Sequence, residues 1–157
     1  MDDADRRHLT RCVELAEAAL ASGDDPFGSI LVAADGTVLR EEQNRCGGGD
    51  ETLHPEFELA RWAANNVTPA ERAGATVYTS GEHCPMCSAA HAWVGLGRIV
   101  YAVSSAQLGE WRQSFGAAPS PVAVLPVQAI APGVAVDGPE PSLAARMKDL
   151  HHRASQR

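Results

Sequence analysis

Two clusters of metal-type side chains, one strand apart, limit what this chain can fold into more than anything else in it. His54-Pro55-Glu56 opens one apolar helical pattern, and Cys84-Pro85-Met86-Cys87 opens another. Between them, residues 75–79 (Ala-Thr-Val-Tyr-Thr) read as a strand. Cys84 and Cys87 are three residues apart and share one helix face. At a helix N-terminus the free amides and the positive end of the dipole favour thiolate over thiol. If both helices follow parallel strands, their N-termini meet at one sheet edge, where ligands of open α/β sheets collect.

One imidazole and two thiolates suit zinc and leave a tetrahedral ion one position short, the mark of a catalytic rather than a closed structural site. The candidate ligands are therefore His54, Cys84 and Cys87, with one Zn2+ per chain. Glu56, two residues from the histidine, is the natural proton carrier for a zinc hydrolase. A lone Cys-x-x-Cys also fits a redox pair or half of a structural zinc site. No second Cys-x-x-Cys or His-rich partner is present to close a structural site, and a redox pair has no use for a His-x-Glu one strand upstream.

Along the chain, apolar positions at Leu9, Val13, Leu15, Ala16, Ala19 and Leu20 mark a helix from about Asp5 to Ser22, ended by Gly23. Phe27 to Val32 is a short apolar strand, Asp35-Gly36 a hairpin signal, and Thr37 begins the partner strand toward Asn44. Residues 45–50 form a glycine-rich loop. His54 to Asn66 reads as a helix with Pro55 in its first turn, and Cys84 to about Val94 as the next. Arg98 to Val103 is a buried strand. Ser104 to Pro121 is the least regular region, with Leu108, Trp111 and Phe115 at mixed spacing. Val122 to Ile130 looks like a last strand, edge-bound or broken by Pro126. Pro132 to Pro141 is a loop, and a closing helix runs from Ser142, its cap, to about His152. Alternating strands and helices point to a mixed sheet with helices on both faces. His91 is expected to be a packed core histidine, Cys12 a small core residue, and His8, His151 and His152 solvated.

A chain of 157 residues holds one domain comfortably, so residues 1–157 are read as a single unit. The net charge of −7, with no lysine–arginine cluster, argues against a nucleic-acid surface. No apolar run is long enough for a membrane helix, and the acidic N-terminus does not resemble a signal peptide, so a cytoplasmic protein is expected.

Together these residues resemble the cytidine deaminase superfamily, within it the branch of guanine, cytosine and tRNA-adenosine deaminases. The resemblance spans nearly the whole chain. It is carried by Pro26-Phe27-Gly28, Asn44, the run Thr79-Ser80, Glu82 and Cys84-Pro-Met-Cys87, and the His54/Glu56 pair. It implies a three-layer α/β/α sandwich with a mixed five-stranded sheet, and a homodimer. It implies a zinc-dependent aminohydrolase acting on a free nucleobase or close analogue (guanine, cytosine or a triazine-like ring) with release of ammonia. Asn44 and Phe27 are then expected to meet the base, with Glu82, Trp111 and Phe115 as further substrate contacts. Trp111 and Phe115 fit ordinary core packing as well.

The chain also departs from the family. Pro55 stands where alanine is usual, and His83 where proline is usual. Thr52-Leu53-His54 is nearer the cytosine deaminase pattern, and the stretch Trp111 to Phe115 lacks the acidic residues of guanine deaminases. A tRNA adenosine deaminase or a nucleoside deaminase is the alternative, and a non-catalytic zinc scaffold the reading from another class.

Overall fold

The computed structural model describes all residues 1–157. The order is α1 (Asp3–Ala21), β1 (Gly28–Val32), β2 (Val38–Gln43), a 3-10 turn (Cys46–Gly48), α2 (Pro55–Asn66), α3 (Pro69–Gly74), β3 (Thr76–Gly81), α4 (Pro85–Trp93), β4 (Arg98–Val103), α5 (Ser105–Ser114), α6 (Val127–Ile130), β5 (Val136–Asp137) and α7 (Pro141–Ala154). The five strands form one sheet ordered β2-β1-β3-β4-β5. β1 is antiparallel to both β2 and β3, while β3, β4 and β5 run parallel. The sheet is therefore mixed, and β2 and β3 point the same way on either side of β1.

Strand alternation divides the core into two layers. Ile30, Val32, Tyr78, Val100 and Ala102 pack with Leu9, Val13 and Ala16 of α1 and Met147 and Leu150 of α7. On the opposite face Leu31 and Val77 pack with Leu59, Ala60 and Ala63 of α2. These are the three layers the resemblance implies. Close approach fixes the entry to β1, because a Cβ at Gly28 would collide with Leu15 and the Cys12 carbonyl of α1.

A half-buried ion pair ties α1 to β4, and a hydrogen bond ties it to β3. The Asp5 carboxylate accepts from both terminal nitrogens of Arg98 at 2.9 and 3.0 Å and from the Tyr78 hydroxyl at 2.8 Å. Burial alone would raise the Asp5 pKa, yet these donors and the Asp2 N–H hold it well below the usual carboxylate range.

Five features differ from the sequence expectations. Ser105–Ser114 is a helix, begun by a Ser104/Gln107 capping box, and Leu108, Trp111 and Phe115 follow its i, i+3, i+7 spacing. Val122 to Ile130 is not a strand. Pro121 and Pro126 remove ladder donors, Val122 and Val124 are exposed, and Val127–Ile130 forms α6. The fifth strand is instead Val136–Asp137, two residues paired with Ile99 and Val100 inside the expected loop. α3 was not anticipated, although Thr68, Pro69 and Glu71 spell its start: a cap, a proline at the first position and a capping box. The last helix is capped by Glu140 rather than Ser142, whose N–H and hydroxyl both donate to that carboxylate.

His151, expected in solvent, is buried on α7 against Phe27, with ring centroids 5.0 Å apart and Nε2 unpaired. Burial first, then the charge of Arg112, pulls its imidazole from 6.5 down to about 4. An unfolded chain would protonate this histidine near 6.5 while the native one stays neutral, so its contribution is complete above that pH and is lost as pH falls toward 4. His151→Leu is expected to make the protein less sensitive to acid, by about 2 kcal/mol between pH 7 and pH 5. Urea unfolding of both proteins at the two pH values checks it.

Candidate active site

β2 and β3 deliver their C-terminal ends to one sheet edge, and the chain uses that edge twice. His54 is the N-cap of α2 with Pro55 at its first position; Cys84 is the N-cap of α4 with Pro85 at its first position. Both prolines stand where a helix has no use for an N–H, which gives the departure at Pro55 a plain structural reason. The two helix starts face each other. Nδ1 of His54 lies 3.6 Å from Sγ of Cys84 and 3.6 Å from Sγ of Cys87.

These distances fit a metal. In a tetrahedron with Zn–S of about 2.3 Å and Zn–N of about 2.0–2.1 Å, nitrogen and sulfur stand roughly 3.5 Å apart. All three donor atoms lie within 4.8 Å of one another, and they form the one group of three or more His, Cys, Asp or Glu side chains gathered to hold an ion. The thiol pair is already polarised. The hydrogen bond from Cys87, with help from His54, pulls Cys84 down to about 4, and the same bond and burial push Cys87 up. One negative charge is thus shared before any cation adds its own pull, which deprotonates a coordinating thiol outright. His54 is in turn raised by its hydrogen bond to Cys84.

Glu56, in the first turn of α2, is buried beside this group without belonging to it. Its Oε2 accepts from Cys87 Sγ at 3.8 Å. Its Oε1 accepts from Thr79 Oγ1 at 2.7 Å and from Ser29 Oγ at 3.1 Å. Burial raises its pKa, moving it toward the range where a carboxyl both takes and gives protons.

The expected substrate contacts separate into two sets. Phe27 and Asn44 lie at the same sheet edge, joined by an Asn44 N–H bond to the Phe27 carbonyl at 2.9 Å. Asn44 is 2% exposed, and its carboxamide grips Cys46: Oδ1 accepts from the Cys46 N–H at 2.9 Å and Nδ2 donates to Sγ at 3.3 Å. Each end keeps one further hydrogen bond free. Glu82, by contrast, is occupied elsewhere. Its two oxygens accept the backbone N–H groups of Ser105 and Val127 at 2.8 and 3.0 Å, pinning the starts of α5 and α6. Trp111 packs on the α1/α7 core, and Phe115 stands 5.0 Å from the His152 ring. The structure gives Glu82 two backbone donors, and gives Trp111 and Phe115 packing partners.

His83 and His91 are a buried pair with ring centroids 5.3 Å apart, and His91 Nε2 donates to the Gly97 carbonyl at 2.8 Å. Two further site residues are Ser29 and Thr79, the latter within the motif run but with no role expected of it. Both are hydroxyls on strand faces where a residue two positions away, Leu31 or Val77, is apolar.

A sheet edge that joins three zinc-type ligands to a separate buried glutamate fits a zinc-dependent hydrolase. Residues 2–103 match the family described as the cytidine and deoxycytidylate deaminase zinc-binding region, and the chain belongs to it. It is 30% identical to a probable cytosine deaminase of Schizosaccharomyces pombe over 76% of this chain and 72% of that protein. It is 34% identical to a guanine deaminase of Bacillus subtilis over 65% of this chain and 66% of that one. The fold resembles a guanine deaminase from Nitrosomonas europaea with TM-score 0.65 at 21% identity, covering 92% of this chain and 82% of that one. No helix is long and apolar enough to cross a membrane.

Proposed function

We propose that the protein hydrolytically deaminates a free nucleobase or a close analogue, a guanine, cytosine or triazine-like ring, with release of ammonia. The observation that carries this reading is Glu56: buried, raised in pKa, turned toward the ligand cluster and yet not a ligand. His54, Cys84 and Cys87 would hold the zinc, which would supply a Lewis acid that makes water reactive near neutral pH. Glu56 would take one water proton on Oε2 and pass it to a ring nitrogen, then take the second proton from the added hydroxyl and pass it to the departing amine. The C–N bond breaks, oxygen from water replaces the nitrogen, and ammonia leaves. Asn44 offers one donor and one acceptor, which matches the alternating edge of a base, and Phe27 supplies an apolar ring beside it.

A free base is favoured over tRNA by charge. The net charge is −7, and the closing helix contributes only Arg146, Lys148 and Arg153 as scattered cations, with Arg146 paired to Glu17 and Arg153 to Asp149. A homodimer is part of the reading. Trp93, 88% exposed at the end of α4, borders an apolar recess of about 540 Å³ that a second copy would cover. Sedimentation of the purified protein checks this.

The test is a panel of guanine, cytosine, triazine analogues, the matching nucleosides and tRNA, scored by ammonia release from zinc-loaded protein. Release from a free base supports the proposal. Release from tRNA alone, weakening with salt, would replace it by nucleic-acid editing.

A further inference from the structure

We propose that Thr79, backed by Ser29, is a positioning residue of this site: the two hydroxyls hold Oε1 of Glu56 so that Oε2 alone carries protons. The proposal rests on the functional reading above and adds residues to it. Ser29 and Thr79 are register partners on the antiparallel strands β1 and β3. Both side chains face α2, and both residues are fully buried, so water does not compete for their bonds. Thr79 Oγ1 stands 2.7 Å from Glu56 Oε1, and Ser29 Oγ stands 3.1 Å from the same oxygen and 2.9 Å from Thr79 Oγ1. Thr79 Oγ1 also lies 2.9 Å from the Gly81 carbonyl oxygen; its single proton goes to the nearer acceptor, Oε1 at 2.7 Å.

The asymmetry of the carboxylate is the argument. Rotation about the last torsion of a glutamate is broad and nearly two-fold, so an unanchored carboxylate exchanges its oxygens freely. Here one oxygen takes both hydroxyls, and the other meets only Cys87 Sγ, on the ligand side. The next residues along the same strand faces are Leu31 and Val77, in an apolar layer with Leu59 and Ala63. A hydroxyl in such a layer is tolerated only when bonded. The bonds at these two positions converge on the one acidic group that the chemistry needs.

The experiment compares zinc-loaded wild type, Thr79→Val, Thr79→Ser and Ser29→Ala, using the best substrate of the panel. Thr79→Val keeps the shape and removes the donor. It is expected to lower kcat by about 10- to 100-fold with KM within about twofold and zinc content unchanged. Thr79→Ser is expected to restore kcat to within about threefold, and Ser29→Ala to lower it by about 3- to 10-fold. Crystal structures of the zinc-loaded wild type and Thr79→Val should show the carboxylate turned in the variant.

An unchanged kcat in Thr79→Val, or a Thr79→Ser as impaired as Thr79→Val, would overturn the proposal. So would a Glu56 carboxylate that superposes in the two crystals. If Thr79→Val does not fold, Thr79→Ser and Ser29→Ala decide by the same kcat-against-KM comparison. Wild type inactive on every base defeats the functional reading instead, and the carboxylate orientation then still decides the positioning role.

Discussion

Glu56→Gln is expected to lower kcat by about 10²- to 10⁴-fold while zinc stays at one ion per chain. Glutamine has the same shape and can still accept from Thr79 and Ser29 at its oxygen. What it lacks is a group that picks up and releases a proton beside the ligand cluster. The separation of activity from metal content follows from the geometry. Glu56 touches the cluster only through Cys87 Sγ at 3.8 Å, and the three ligands meet without it. Ammonia release and metal analysis on one preparation check both halves. Activity that survives the substitution would remove Glu56 from the mechanism; zinc lost with it would make Glu56 a ligand.

The second large effect concerns the metal itself. Cys87→Ala is expected to weaken zinc binding by roughly 10²- to 10³-fold, taking about 2.5–4 kcal/mol for each ligand of a site worth about 10–16 kcal/mol with four. Activity should fall with occupancy. The fold should survive, because the two main core layers are built from other residues: α1 and α7 on one face, α2 on the other. Metal bound only by the native state stabilises it by mass action, about 4 kcal/mol when free zinc is a thousand times its dissociation constant. A chelator should therefore lower the melting temperature of wild type markedly and that of Cys87→Ala hardly at all. Thermal melts with and without chelator, beside far-UV circular dichroism, measure this. An equal chelator shift in both would mean that zinc sits elsewhere.

The site was more legible in the sequence than the fold around it. His54, Glu56, Cys84 and Cys87 stand in order with prolines at both helix starts, and the structure brings all four together as their spacing implies. Asn44 and Phe27 appear at the same edge, because β1 runs antiparallel between β2 and β3, so that Phe27, just before it, lies where those strands end. Glu82 was harder, since a motif carboxylate looks the same on the page whether it meets a ligand or two backbone amides. Only the positions of Ser105 and Val127, far along the chain, reveal the second.

The misread elements share a cause. α3, α5 and α6 are short, and their starts are written in caps and prolines rather than in long periodic runs. β5 has two residues and no pattern of its own; its place is set by pairing with β4. A histidine near a chain end reads as solvated, but α7 packs back against the sheet and seats His151 on Phe27.

Hydrolytic deamination in water enriched with oxygen-18 tests the central claim most directly. The zinc-loaded protein should convert a free base into a product carrying one solvent oxygen and release one ammonia for each product molecule. Mass spectrometry and an ammonia assay on the same reaction read both. A protein with zinc bound at His54, Cys84 and Cys87 that yields neither labelled product nor ammonia from any base would contradict the account.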